Sequence, residues 1–326
     1  MKRAIWMAGA LCTAMFGFVS AGAADAQSYP TKPIRLIVPF PPGGINDTVA
    51  RPLAERMKSA LGTMLIENVS GAGGVIGATA TARAAADGYT MLLGSAATHV
   101  IGPLTVAIMP YQPLKDFRSI ALLATGGNAI SVHPSLPVKT LKEFIDYASD
   151  PARQLSYGSA GTGSTGHLAG ELLRSLIHAP GLSHVSYRGG PAALTDLLGG
   201  HVPVVVSNIS GQVFDLHRAG KIRTLAVTTA NRSTTAPDIP TARETVQGMI
   251  AINFFGLFVP ARMPQSIIER IVAAVSTTMT DSAMIELWTK AGLEVFPEST
   301  PDKAHRFVED EVTKWSPIIR SLGLKY

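Results

Sequence analysis

The chain has 326 residues, of which 28 are Lys or Arg and 23 are Asp or Glu, giving a formal charge of +5. Charged residues make up 16% and hydrophobic residues 46%, against about 25% charged in an average soluble domain. With 31 Gly and 22 Pro punctuating the chain, that balance excludes a charged disordered tail, a coiled coil and a low-complexity polymer. The one cysteine, Cys12, excludes a disulfide framework and a cysteine-based zinc site. No run of Lys or Arg exceeds two residues, so no nucleic-acid partner is expected.

Residues 1–26 read as a signal peptide. Lys2 and Arg3 form a positive start, Ala4 to Val19 is almost wholly apolar, and Ala24-Asp25-Ala26 is a small-x-small cleavage site. At 16 residues the apolar run is short of the about 20 needed to span a bilayer. Cys12 lies inside that run, which argues against a lipid attachment site. Cleavage after Ala26 removes Lys2, Arg3 and Asp25, leaving a charge of +4 on 300 cysteine-free residues. An exported chain without cysteine forms no stray disulfides.

The body alternates strands and helices. Ile34 to Phe40 is a buried-strand pattern ended by Pro41-Pro42-Gly43-Gly44. Asp47 to Leu61 has helical spacing (Val49, Leu53, Met57, Leu61) up to Gly62, with Pro52 awkwardly inside. The spacing then predicts a strand over 64–67, a helix over 75–86 and a strand over 89–94. The beat continues with strands near 129–133, 155–157, 184–187, 202–206 and 222–228. Helices fall between them at 141–149, 167–177, 192–198 and 212–219. Strands separated by single helices mean right-handed βαβ units and parallel sheets. After a strand at 251–259, three helices (264–280, 283–291, 301–322) arrive without a new sheet and are expected to cover an existing one. About 300 residues exceed one ordinary core, so two α/β lobes are the natural division.

In open α/β sheets ligands sit beyond the carboxyl ends of strands. The first such loop runs from Phe40 to Asp47. Its Gly43 and Gly44 allow close backbone approach before a helix start, where open amides suit an anion. Asp47 is expected to cap that helix, because a carboxylate there repels an anionic ligand. The second loop, Ser159 to His167, is rich in hydroxyls and amides. Its Gly161, Gly163 and Gly166 match G-x-G-x-x-G, but the acidic partner that a dinucleotide site wants some 20 residues on is replaced by Ser186, Tyr187 and Arg188. No cofactor is therefore expected, whereas an amide cradle for a small anion is. Ser95 and Thr98 follow a strand, Arg188 is a fixed cation before Gly189-Gly190-Pro191, and Asn208 ends another strand where it can orient a carboxylate or cap a helix. There is no G-x-S-x-G elbow, no H-E-x-x-H, no cysteine nucleophile and no metal-ligand spacing among the eight histidines. Catalytic and metal-binding residues are thus expected to be absent.

Several segments together resemble one family, the substrate-binding receptors of tripartite tricarboxylate transporters, also called the Bug family. They include Val38-Pro-Phe-Pro-Pro-Gly-Gly44, Gly71-Ala-Gly-Gly-Val-Ile-Gly77, Asp87-Gly-Tyr89 and His133-Pro-Ser-Leu-Pro137. Later come His167-Leu-Ala-Gly-Glu171, Tyr187-Arg-Gly-Gly, Leu194-Thr-Asp-Leu-Leu-Gly-Gly200 and Pro237-Asp-Ile-Pro-Thr241, in order over essentially the whole mature chain.

The resemblance implies a periplasmic receptor with a two-lobed type II periplasmic-binding fold: α/β, with mixed, mostly parallel sheets and helices on both faces. It places lobe 1 at 27–128 plus 254–326 and lobe 2 at 129–253. It also implies a small carboxylate ligand (dicarboxylate, tricarboxylate, amino acid or aromatic acid), membrane permease subunits as partners, and a monomer. Carried over residue by residue, the contacts are Phe40, Gly43, Gly44, Asp47 and Ser95 from lobe 1. Lobe 2 supplies Ser159, Thr162, Ser164, His167, Tyr187 and Asn208, with Arg188 added from the loop reading.

The chain departs from the family at Ser207-Asn-Ile-Ser210, where an Asp-Asn-Leu-Pro run is frequent. That puts an acidic contact in doubt and points toward a ligand without an amino group. Micromolar binding needs about 8 kcal/mol, more than the roughly 1.5–3 kcal/mol per charge-assisted hydrogen bond that one loop supplies. Two loops on opposite lobes reach it, so hinge closure near 128 and 253 is expected. The alternative is an exported α/β hydrolase or transferase using the glycine loops as an oxyanion site; the missing nucleophile–base pair argues against it.

Overall fold

The computed structural model describes residues 29–150 and 152–326. The expected signal peptide and Cys12 lie outside the described residues. The chain opens with β1 (Ile34–Val38), α1 (Ile45–Leu61), β2 (Met64–Asn68), α2 (Val75–Ala82) and β3 (Thr90–Ser95). Next come β4 (Phe117–Val132), α3 (Leu141–Ala148), β5 (Leu155–Ser159), α4 (Thr165–Leu176) and β6 (Leu182–Ser186). They are followed by α5 (Gly190–Leu198), β7 (Val204–Asn208), α6 (Gly211–Arg218) and β8 (Arg223–Val227). The chain closes with β9 (Ile252–Pro260), α7 (Gln265–Met279), α8 (Ser282–Lys290), β10 (Glu294–Val295) and α9 (Pro301–Ser321).

The strands join in the order β2-β1-β3-β9-β4-β7-β5-β6, with β8 and β10 also bonded to β4. Parallel pairing of β1 with β2 and β3, and of β5 with β6 and β7, realises the βαβ units expected from the alternation. Antiparallel pairing enters where β9 meets β3 and β4, and where β4 meets β7 and β8. The sheet is therefore mixed and has two halves joined through β4.

β4 is the largest difference from the expected elements. Its 16 residues begin at Phe117, twelve earlier than the strand expected from Ala129. Gly126 and Gly127, ahead of the expected strand, lie in extended pairing with Asn253 and Ile252. A Cβ on Gly126 would come within 2.7 Å of Leu293 Cδ2, and one on Gly127 within 2.7 Å of Thr229 Cγ2. These glycines admit close neighbours inside the strand. The helix expected over 75–86 stops at Ala82, and Pro52 stays inside α1, half-buried.

The last three helices do cover existing layers. α7 and α8 pack against α1, and Leu53, Met57, Ile271 and Trp288 share one apolar cluster. α9 lies against β4 and buries Ala304, Val308, Trp315 and Ile319 at helical spacing. The buried Glu311 on that stripe accepts from Trp315 Nε1 at 2.9 Å and Lys314 Nζ at 3.0 Å. The cluster holding Trp315 also contains Leu168, Leu172 and Val206, so one core crosses from one half to the other. Among the described residues, no helix is long and apolar enough to cross a membrane.

In the second half α4 packs on β5 and β7. Its approach depends on Gly170, where a Cβ would sit 2.1 Å from Tyr157 Cε2. Tyr157 is fully buried and donates to Glu171 Oε1 at 2.8 Å, so its ring has nowhere to move. Gly170→Ala is expected to destabilise the protein by roughly 1–3 kcal/mol through overpacking. Chemical denaturation checks this, and a wild-type midpoint would contradict it.

Candidate functional site

A cleft of about 340 Å³ lies where the two halves of the sheet meet. It is bordered by the ends of β3 (Ser95) and β7 (Ser207, Asn208), by the turn after β1 (Phe40, Gly43, Gly44), and by Asn253 on β9. Four helices begin at its wall. Gly44 and Gly189 cap α1 and α5 without any side-chain bond, leaving the amides of Ile45 and Asn46 and of Gly190 open, while Asp47 N is bonded to Gly44 O and Pro191 has no N–H. Ser164 and Ser210 cap α4 and α6, each accepting one amide, from His167 N and Val213 N. Each helix start presents partial positive charge and unpaired N–H groups. Gathered around one cleft, they favour an anion there.

The side chains agree. Ser95 is 1% exposed and its Oγ has no hydrogen-bond partner; Asn46 Oδ1 is likewise buried and unpaired. Buried polar atoms without partners are costly, so these two are poised for a ligand. Among the described residues lining the cleft none is acidic. Its single cationic residue, Lys290 at the mouth, is ion-paired with Glu286 at 2.6 Å.

Of the residues singled out in the sequence, Phe40, Gly43, Gly44, Ser95, Ser164 and Asn208 line the cleft. Six others stand outside its lining and serve it indirectly or not at all. Asp47 is not the α1 cap, since Gly44 holds that place. Its buried carboxylate instead accepts from Gly43 N at 3.2 Å, Arg51 Nε at 2.6 Å and Asn68 Nδ2 at 3.1 Å, bracing the glycine turn. Burial works against its charge, but the bonds from Arg51, Asn68 and Gly43 prevail and hold the carboxyl below its ordinary range. Ser159 is fully buried, with Oγ 2.7 Å from His184 Nε2 and bonded to Gly161. Thr162 donates its backbone N–H to Ser186 Oγ at 2.9 Å. Tyr187 pins its loop by donating to Asp196 Oδ2 at 2.9 Å, and Arg188 is exposed beside it.

His167 lies behind the second loop, stacked on His184 at 4.0 Å. Its Nδ1 accepts from Gly163 N at 3.3 Å and stands 3.0 Å from the hydroxyl of Tyr326. The backbone of Tyr326 is bonded to Thr105 O and Ala107 N, both at 2.9 Å. The last residue of the chain therefore ties the segment after β3 to the loop before α4. Opposite it, Gly73 approaches the same loop so closely that a Cβ would lie 2.8 Å from Thr162 O.

Thr165, Asn253, Gly189, Gly190 and Gln212 also line the cleft without having been singled out. Thr165 and Gly189 sit inside motifs already noted for their glycines. Asn253 carries no local signal: it arrives through the pairing of β9 with β3 and β4, a contact between distant parts of the chain.

The family described as tripartite tricarboxylate transporter family receptor matches residues 49–324. Protein BugT of Bordetella pertussis is 32% identical over 304 residues, covering 92% of each chain. Among solved structures, MatC from Rhodopseudomonas palustris with bound malate is 31% identical, with a TM-score of 0.84 over 89% of this chain and all of that one. An R. palustris protein solved with adipate is 32% identical, with a TM-score of 0.85 over 91% of this chain and 99% of its own. The periplasmic binding protein BugD is 31% identical, with a TM-score of 0.86 over the same shares. The matched family is described as receptors, and BugD as a periplasmic binding protein.

The buried imidazoles give a pH prediction. Burial, with help from His184 and Arg174, pushes the pKa of His167 down to about 3. Burial does the same for His99, also to about 3. The folded state thus keeps both rings neutral while the unfolded chain takes up protons below about pH 6.5. Stability is expected to fall as pH drops from about 6.5 toward 3, and His167→Gln to flatten that slope. Melting temperatures across the range check this; an unchanged slope in the variant would contradict it.

Proposed function

We propose a function from one premise: the chain belongs to the tripartite tricarboxylate transporter family of receptors. It is a solute-binding protein that captures a small organic carboxylate between the two halves of its sheet. The observation that carries this reading is the convergence of four helix N-termini, one from the first half of the sheet and three from the second, on a cleft with unpaired Ser95 and Asn46 and no acidic residue among its described lining. Each amide–carboxylate hydrogen bond contributes roughly 1.5–3 kcal/mol, so several together reach micromolar affinity once association entropy is offset. The malate and adipate held by the two R. palustris neighbours support a dicarboxylate-sized ligand. An enzymatic reading finds no support in relatives that are receptors.

The finer parts of the reading are these. The chain is exported to the periplasm with cleavage near Ala26, and it hands its ligand to membrane permease subunits. Lobe 1 comprises 27–128 plus 254–326 and lobe 2 comprises 129–253, with closure about the strands near 128 and 253. The ligand contacts are Phe40, Gly43, Gly44, Ser95, Ser164 and Asn208, joined by Asn46, Thr165 and Asn253. Asp47, Ser159, Thr162, His167 and Tyr187 hold the loops that carry those contacts. Calorimetric titration of mono-, di- and tricarboxylates tests the assignment, with each binder checked for turnover. At least one dicarboxylate is expected to bind unchanged in composition; turnover or a silent panel would overturn the reading. Ser95→Ala is expected to weaken the best binder by about tenfold, the loss of one hydrogen bond to a charged group. Small-angle scattering with that binder is expected to show a more compact envelope, and an unchanged one at saturation would count against closure.

A further inference from the structure

The floor of the cleft carries a relay of side-chain amides whose polarity is set by the backbone. The N–H of Ala96 can only donate, so the Asn253 atom 3.2 Å from it is the carbonyl oxygen Oδ1. Asn253 then presents Nδ2 on its other side, where the Asn208 side chain lies 3.0 Å away. Only an oxygen can accept there, which holds Asn208 with Oδ1 toward Asn253. Asn128 beside it is fixed by the backbone in the same way. The carbonyl of Ala251 can only accept, so Asn128 turns Nδ2 toward it at 3.3 Å and Oδ1 toward the Thr165 hydroxyl at 3.4 Å. Thr165 Oγ1 also stands 3.4 Å from Asn208 Oδ1, but its single proton serves one of the two amide oxygens at a time, so the orientation of Asn208 rests on Asn253.

We propose that this relay makes Asn208 the residue that selects the ligand class: carboxylates without an amino group are accepted and amino acids are rejected. The proposal rests on the cleft being the carboxylate site argued above. With Oδ1 held by Asn253, the two N–H donors of Asn208 Nδ2 are left for the ligand. Turning the amide over would break the bond to Asn253 and set two NH2 groups against each other. A carboxylate oxygen complements the held NH2. An ammonium group carries donors alone and meets only donors there.

No acidic side chain among the described lining residues offsets that mismatch, and Asp47 is already occupied by Gly43, Arg51 and Asn68. Asn46 differs in kind. Its Oδ1 has no partner, so neither face of its amide is fixed and it imposes no such rule.

Matched pairs test the assignment by calorimetric titration of the full mature chain at neutral pH: succinate with L-aspartate, glutarate with L-glutamate, and adipate with L-2-aminoadipate. For the pair that binds best, the acid without the amino group is expected to bind at least fivefold more tightly. Asn208→Asp places an acceptor where the NH2 stood and is expected to cut that ratio at least fivefold. Asn208→Ser, which removes the fixed donors with little bulk, covers the case in which the first variant does not fold and is expected to reduce the ratio in the same direction. A wild-type ratio below fivefold, or a ratio unchanged in whichever variant folds, overturns the selection by Asn208 while leaving the carboxylate site standing. Absence of binding by every one of the six acids overturns the site reading itself, and the selection with it.

Discussion

One strand, β4, carries the architecture. Over 16 residues it pairs with β9 along its first part and with β7 and β8 along its second, so both halves of the sheet are built on the same backbone. Because strands from both sides end near its middle, the loops that follow β1 and β3 come to face those that follow β5, β6 and β7. Asn128 stands at that middle, fully buried and paired with Asn208 in the ladder. The cleft is therefore a consequence of register on β4. Shifting the pairing by one residue would turn Asn208 and Asn253 to the opposite face and dissolve the site.

Given that frame, anion capture needs few charged side chains. A carboxylate leaving water must find comparable donors, and the converging helix starts supply them as fixed dipoles that need no reorganisation. The charges that do lie nearby are directed elsewhere. Asp47 faces its own glycine turn, and Arg188 stays exposed beside the loop. The low charge content of the chain extends into the cleft, whose proposed contacts are backbone amides and neutral side chains. The neutral His167 behind the second loop fits the same pattern, since burial suppresses its charge.

The parts of this arrangement that were legible in the sequence are local. Apolar runs of strand length ending in Pro41 to Gly44 or in Ser159 to Gly166 mark strand-to-helix turns, because only glycine and short hydroxyl residues suit those backbones. The alternation of strand and helix likewise announced the βαβ units. Features made by long-range pairing were hidden. Gly126 and Gly127 fell outside the expected strand because their sequence cannot show that Leu293 and Thr229 crowd them from elsewhere in the chain. Asn253 looked like any strand residue until β9 was seated between β3 and β4. For Asp47 and Tyr187 the neighbourhood was readable but the direction of the side chain was not, since Arg51, Asn68 and Asp196 decide it.

The central claim is that main-chain amides from both halves of the sheet hold the ligand together. Backbone amide chemical shifts, followed while succinate or adipate is titrated into isotopically labelled mature protein, test it most directly. The account predicts the largest shifts at Gly44, Ile45 and Asn46 on one side and at Thr165 and Gly190 on the other, saturating with a single affinity. Shifts confined to one side, or centred away from these helix starts, would contradict it.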